Sequence, residues 1–351
     1  MSVITGVSFH AVGAGSASVC YTPQEKTQAW SWQTYWLAQA VFCWFLLPII
    51  GAWITIPHLG EVLKEAPVDA MYEAFILGAA YGIGGTAFGL AIKYVGFSLT
   101  YAISVGLSCV LGTIIPPLVN GQLEKILTKA GSGWLMMGIA IGALGIAICG
   151  FAGRFKEKDL QIKENSSSLF SLRKGLPLCL LAGILSAVYG IALAQGQPIA
   201  DVAAKYGAGQ FQGNVIYIFT NTGAFLTTAI YCIYLHLKQK TFGEYKTLKK
   251  VKNRTILPFN YVLAFITGLL WYSQFFFYGM GNTRMGPYEF SSWAIHMIML
   301  VLFSSVIGLI LKEWKGVKIR TKWSLALAIT VLILSVLFLT YGNYVGALTG
   351  A

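Results

Sequence analysis

Charge is what this sequence has least of. Only 11% of its 351 residues are Asp, Glu, Lys or Arg, where a soluble domain carries roughly 25%. An ordinary soluble fold is excluded, and the polar stretches between apolar runs are too short for a separate soluble domain. There is no CxxC and no Cys/His pair at metal spacing. The six cysteines, Cys20, Cys43, Cys109, Cys149, Cys179 and Cys232, all lie in or at the ends of apolar runs. They read as small buried packing residues rather than disulfide or metal partners. No Gly-rich phosphate loop ending in Lys-Ser/Thr occurs, which argues against an ATP-driven pump. No metal-ligand cluster or nucleophile–base spacing supports an intramembrane enzyme, and neither metal nor cofactor is expected. The first apolar run lacks a basic region ahead of it, and its His10, Ser16 and Ser18 suit a retained helix rather than a cleaved signal.

What the chain has in abundance is apolar sequence, 56% by residue type. Ten segments reach about the 20 apolar residues that span a bilayer, near 4–22, 34–57, 70–92, 97–119, 133–151, 173–195, 211–237, 256–280, 287–311 and 323–346. The fold class expected is an all-α membrane protein of ten transmembrane helices. The net charge of +12 does not point to nucleic acid, because it is one-sided. Of 25 Lys and Arg residues, only Lys64, Lys125, Lys129, Lys205 and Arg284 fall in loops on the second side. The positive-inside rule puts the richer side in the cytoplasm and both termini outside. The basic loops are expected against anionic lipid headgroups.

Several segments carry structural signals. Five glycines from Gly78 to Gly89 mark segment three as closely packed or deformable. Pro48 interrupts segment two, and Pro116-Pro117 predict a kinked or broken end of segment four. Trp30-Ser31-Trp32 reads as a headgroup-level anchor. The charged, serine-rich stretch from Arg154 to Lys174 divides the chain. The halves look related: Gly13-x-x-Ser16-Ala17 recurs as Gly183-x-x-Ser186-Ala187, and Phe75-Ile76-x-Gly78-x-x-Tyr81 as Phe265-Ile266-x-Gly268-x-x-Trp271. The domain division expected is a five-helix repeat over 1–152, a cytoplasmic linker over 153–172 and a second repeat over 173–351. An odd number of spans per repeat inverts the second copy, a transporter architecture with its site near the midplane.

The stretch from Gly268 to Met297 holds the candidate chemistry. Trp271, Gln274, Phe275 and Tyr278 share one helical face at i, i+3, i+4, i+7. Glu289, Trp293 and His296 share another at i, i+4, i+7. Glu289 has two readings: a proton carrier, because a carboxylate in hydrocarbon is costly, or a partner for Arg284 in the headgroup zone. His296, and His10 in segment one, are either proton or sugar contacts or core histidines bonded to a neighbouring helix. Gln274 can donate and accept, as a neutral polyol requires. The aromatics, with Tyr81 in segment three, either present flat faces to a sugar or simply pack.

Taken in order, WSW at Trp30–Trp32, YGIGG at Tyr81–Gly85, PPLVNG at Pro116–Gly121, WYxQFFFYGMG at Trp271–Gly281, YEFSSWAIHM at Tyr288–Met297 and LKEW at Leu311–Trp314 resemble the bacterial L-rhamnose–proton symporters of the drug/metabolite transporter superfamily. The likeness spans nearly the whole chain. It implies the inner membrane, ten helices in two inverted five-helix repeats, no cofactor, no obligate protein partner, and uptake of a small neutral sugar, L-rhamnose, with a proton. From the placement and chemistry of the residues, proton coupling is expected of Glu289 and His296, and substrate binding of Trp271, Gln274, Phe275, Tyr278, Trp293, His10 and Tyr81. The family form has Asp where this chain has Glu289, and the stretch around Gln195-Gly196-Gln197 also departs from it. An exporter of the same superfamily, sodium-coupled uptake and a sugar-binding membrane sensor are the competing readings.

Overall fold

The computed structural model describes residues 3–95, 97–164, 171–247, 250–251 and 254–349. In chain order the helices are α1 (Val3–Val19), α2 (Trp32–Ala40), α3 (Leu47–Thr55), α4 (Leu59–Glu65), α5 (Val68–Val95), α6 (Phe97–Val119), α7 (Leu123–Leu127), α8 (Ser132–Glu164), α9 (Leu172–Gln195), α10 (Gln197–Lys205), α11 (Asn214–Gln239), α12 (Leu257–Asn282), α13 (Ser292–Ile310) and α14 (Ile319–Leu348). Among the described residues, ten stretches are long and apolar enough to cross a membrane. The span from Trp32 to Thr55 combines α2 and α3, and that from Arg173 to Lys205 combines α9 and α10. Trp53, Ile54, Phe151, Trp323 and Leu337 stand exposed on these helices. An apolar exterior of this kind is matched by lipid, and helices suit it because their backbone bonds are satisfied internally.

Packing divides the chain into two units, each discontinuous in sequence. One comprises Met1–Ser18, Gly84–Ile191 and Met280–Ala351, the other Val19–Ile83 and Ala192–Gly279. In the first unit α8 lies along α14. A side chain at Gly138 would strike Leu339, and one at Gly145 would strike Leu332. The Ser335 hydroxyl donates to the Gly138 carbonyl at 2.6 Å. In the second unit α5 meets α11 backbone to backbone. A Cβ at Gly78 would overlap the Thr220 carbonyl, and one at Gly223 the Phe75 carbonyl. Thr227 Oγ1 donates to the Ala79 carbonyl at 2.9 Å. The glycines of segment three are thus contact residues: small side chains let two membrane helices approach and gain dispersion energy where no hydrophobic effect separates helix from lipid.

Two local expectations are corrected. α6 runs unbroken through Pro116 and Pro117 and ends at Val119. Proline's fixed φ suits a helix, and the stop comes where Gly121 turns left-handed at φ +64°. α8 continues to Glu164, well past the expected end near residue 151. The charged stretch that looked like a linker is made of good helix formers, and Arg154 pairs with Glu157 one turn on at 3.7 Å. Residues 165–170 of the expected linker lie outside the described residues. Trp30 and Ser31 also bond to a short 3-10 turn, Phe242–Tyr245. Trp30 Nε1 donates to the Glu244 carbonyl at 3.0 Å, and the Ser31 N–H to the Glu244 carboxylate at 2.7 Å.

The helical extension of α8 has a function in packing. Its Asp159 is buried and accepts from the Lys318 N–H at 2.9 Å and from Thr321 Oγ1 at 2.7 Å. It therefore caps the start of α14, where free N–H groups and the helix dipole favour a negative charge. Asp159→Ala is expected to lower the thermal unfolding midpoint in detergent. Glu313→Gln should lower it less, because the Glu313 carboxylate that meets Lys156 at 2.8 Å is about half exposed and exposed pairs contribute little. Equal midpoints for the two variants would deny the cap.

Candidate functional site

The candidate residues divide between the two units: Trp271, Gln274, Phe275, Tyr278 and Tyr81 in one, and Glu289, His296, Trp293 and His10 in the other. In the second unit the helical spacing holds. Trp271, Gln274, Phe275 and Tyr278 all lie on α12 and all are buried. The Trp271 and Phe275 rings are 4.9 Å apart, those of Phe275 and Tyr278 6.4 Å. The Phe275 carbonyl accepts from the Tyr217 hydroxyl at 2.8 Å. Tyr81 comes from α5, half-buried, with its ring 6.4 Å from that of Trp271. Trp44 closes a third side, with its ring 5.3 Å from Trp271 and 6.1 Å from Tyr81. Trp44 was missed in the sequence, where segment two drew attention only for Pro48.

In the first unit the expected single face from Glu289 to His296 does not exist. Glu289 lies in a 3-10 turn, Gly286–Ser291, and α13 begins only at Ser292. Gly286 sits at φ +56° and Tyr288 has non-helical backbone angles, so the chain enters α13 at a bend. Glu289 is exposed rather than buried, and its carboxylate accepts from the Asn282 side-chain amide. Arg284 donates to the Met280 carbonyl at 2.6 Å and lies over the Phe9 ring at 4.8 Å.

Past the bend, every residue from Ser291 to Leu300 is buried. Trp293 Nε1 donates to the Ser108 carbonyl at 3.0 Å. Its indole fills the space left by Gly112 and lies 6.2 Å from the Tyr189 ring. That placement matches the packing reading of an aromatic. His296 meets His10: both are fully buried, with ring centroids 6.1 Å apart in an edge-on arrangement. Gly281 makes room for this, since a side chain there would meet His10 Nε2 at 2.9 Å. The two histidines lie almost the length of the chain apart in sequence, and no local signal joined them. His236 is also buried, bonded to Thr241 at 2.7 Å and to Tyr245 at 3.1 Å. The Tyr288 hydroxyl donates to the Ala130 carbonyl at 2.6 Å.

Ten apolar helices make this a polytopic α-helical membrane protein, and the match to a symporter family makes it a transporter. Binding sites hold a polar molecule by a few placed donors and acceptors set in apolar walls. The family described as L-rhamnose-proton symport protein matches residues 1–344, and the chain belongs to that family. It is 30% identical over 337 residues to the L-rhamnose-proton symporter of Mannheimia succiniciproducens, across 95% of this chain and 96% of that protein. It is 31% identical over 336 residues to that of Cronobacter sakazakii, and 29% over 336 to that of Escherichia coli strain 55989, with the same coverage.

Proposed function

We propose that this protein takes up L-rhamnose together with a proton by alternating access, in the bacterial inner membrane with both termini periplasmic. The observation that carries the reading is membership of the symporter family over residues 1–344. The buried aromatic and amide face of α12 supports a neutral sugar as cargo. A sugar hydroxyl needs both donors and acceptors, and Gln274 offers both. The Trp271 and Phe275 rings offer apolar faces to its C–H surface. His296 with His10 supplies a buried imidazole pair, with ring centroids 6.1 Å apart. Exposed Glu289, at the bend that leads into α13, is the entry group that hands the proton to His296.

The inverted-repeat reading is part of this proposal. Pairing segment one with six, two with seven and so on puts both members of each pair wholly or largely in the same unit. That distribution is what a duplicated five-helix unit produces. Anionic lipid is the partner proposed for the basic loops.

The test is alkalinisation of a weakly buffered suspension of vesicles containing the protein when L-rhamnose is added, with L-fucose and L-lyxose alongside. A pH rise with L-rhamnose is expected. No pH change, with labelled L-rhamnose also failing to enter, would overturn the reading.

A further inference from the structure

The second membrane span is not one regular helix. Pro48 has no N–H to offer the Trp44 carbonyl, and its ring would strike that carbonyl in an α-helix. The chain widens instead. Val41–Leu46 forms a π-helical turn, and the Leu47 N–H reaches back five residues to the Phe42 carbonyl. Single π turns inside α-helices concentrate at functional sites. This one carries Trp44 into a buried position, 2% exposed.

Trp44, Tyr81 and Trp271 form a closed triangle of rings. Trp44 stands edge-on to both neighbours, at 83° to Trp271 and 74° to Tyr81. Gln39, in the last turn of α2 just before the π segment, is 1% exposed. Gly268, one turn before Trp271, lets α12 settle against this helix. A side chain there would strike Phe42 and come within 3.3 Å of the Gln39 carbonyl.

Two polar atoms in this cluster stand out. Trp44 Nε1 and Gln39 Oε1 are each enclosed with no hydrogen-bond partner among the described residues. Buried polar groups are nearly always paired. On the same span and on α12, Trp36 Nε1 and the Tyr272 hydroxyl are enclosed without a partner among the described residues as well, while other neighbours are paired. The Tyr35 hydroxyl meets Thr267 at 2.6 Å, and the Tyr217 hydroxyl meets the Phe275 carbonyl at 2.8 Å. One enclosed donor beside three aromatic rings, and one enclosed acceptor earlier on the same span, match the surface of a deoxysugar: hydroxyls on one part, C–H and methyl on another.

We propose that Trp44 and Gln39 are substrate-reading residues. Trp44 Nε1 donates to one hydroxyl of the 6-deoxyhexose, Gln39 Oε1 accepts from another, and the Trp44–Tyr81–Trp271 triangle receives the C–H and methyl face. This rests on the sugar-uptake reading above. It adds a binding role for segment two, set by a π turn that Pro48 imposes.

The experiment is equilibrium binding of labelled L-rhamnose to the purified protein in detergent, with thermal unfolding in the presence and absence of the sugar. Trp44→Phe removes the N–H, and Gln39→Met removes the acceptor at similar volume. Each is expected to weaken L-rhamnose binding by about tenfold or more, since each leaves a sugar hydroxyl unpaired in a buried site. Sugar-free Gln39→Met should unfold at the same temperature as the parent or higher, because the enclosed acceptor it deletes has no protein partner to lose. Its L-rhamnose-induced rise in midpoint should shrink. If Trp44→Phe does not remain monodisperse, Gln39→Met decides alone. Parental affinity in Gln39→Met with a lowered sugar-free midpoint would mark a structural role and overturn the proposal, leaving the uptake reading in place. A parent protein that binds no L-rhamnose would overturn both.

Discussion

Vesicles carrying His296→Asn are expected to exchange labelled for unlabelled L-rhamnose but not to accumulate it. The reason is energetic. An uncharged sugar gains nothing from the membrane potential, so a carrier that moves it alone stops at equal concentrations. One co-transported proton adds about 2.3 kcal/mol per 100 mV, and about 1.4 kcal/mol corresponds to tenfold. A coupled carrier therefore sustains a gradient on the order of 50-fold per 100 mV, and the variant should lose it. Exchange survives because the loaded carrier can cycle with no net proton movement. Asn keeps a similar reach and one donor while removing the titratable ring. His296 is the residue for this test because it is fully buried, 6.1 Å from the His10 ring. Glu289→Gln should reach the parent's final gradient more slowly, as suits an exposed group bonded to Asn282. Accumulation to the parent's level by His296→Asn would remove His296 from the coupling path. Loss of the final gradient in Glu289→Gln would move the carrier role to the carboxylate.

The largest stability effect is expected from a single methyl group. Gly78→Ala should lower the unfolding midpoint in detergent far more than Gly15→Ala. At Gly78 the new Cβ would overlap the Thr220 backbone carbonyl. Backbone cannot rotate away as a flexible side chain can, so α5 and α11 must separate. Overpacking of this kind costs about 1–3 kcal/mol, or more where nothing can yield. At Gly15 nothing lies within 4 Å of the added Cβ, so only the gain in helix propensity of about 1 kcal/mol operates. A lower midpoint for one and an equal or higher midpoint for the other is the expected pair. Equal loss in both would mean the α5–α11 contact does not set stability.

The aromatic face of α12 could be read from spacing, because helical periodicity is local and α12 is regular from Leu257 to Asn282. The face assigned to Glu289, Trp293 and His296 could not. Periodicity assumes an unbroken helix, and the bend at Gly286–Ser291 detaches the carboxylate from the two residues it was grouped with. The His10–His296 pair was illegible for a different reason: its members are each ambiguous alone, and only packing joins α1 to α13. Trp44 carried a signal that was seen but not followed. Pro48 implied a disturbed helix, and the disturbance turned out to be a π turn that re-aims an indole.

The sequence by itself determined that this chain crosses a membrane ten times, which side is basic, and which family it resembles. Length, hydropathy and charge placement act residue by residue, so they survive without coordinates. Tertiary structure alone decided which polar groups are enclosed and which meet solvent. It put Glu289 outside and His10, His296, Gln39 and Trp44 inside. Enclosure is a property of neighbours brought from distant parts of the chain. The hydrophobic pattern that drives each helix into the bilayer says little about which of its faces another helix will cover.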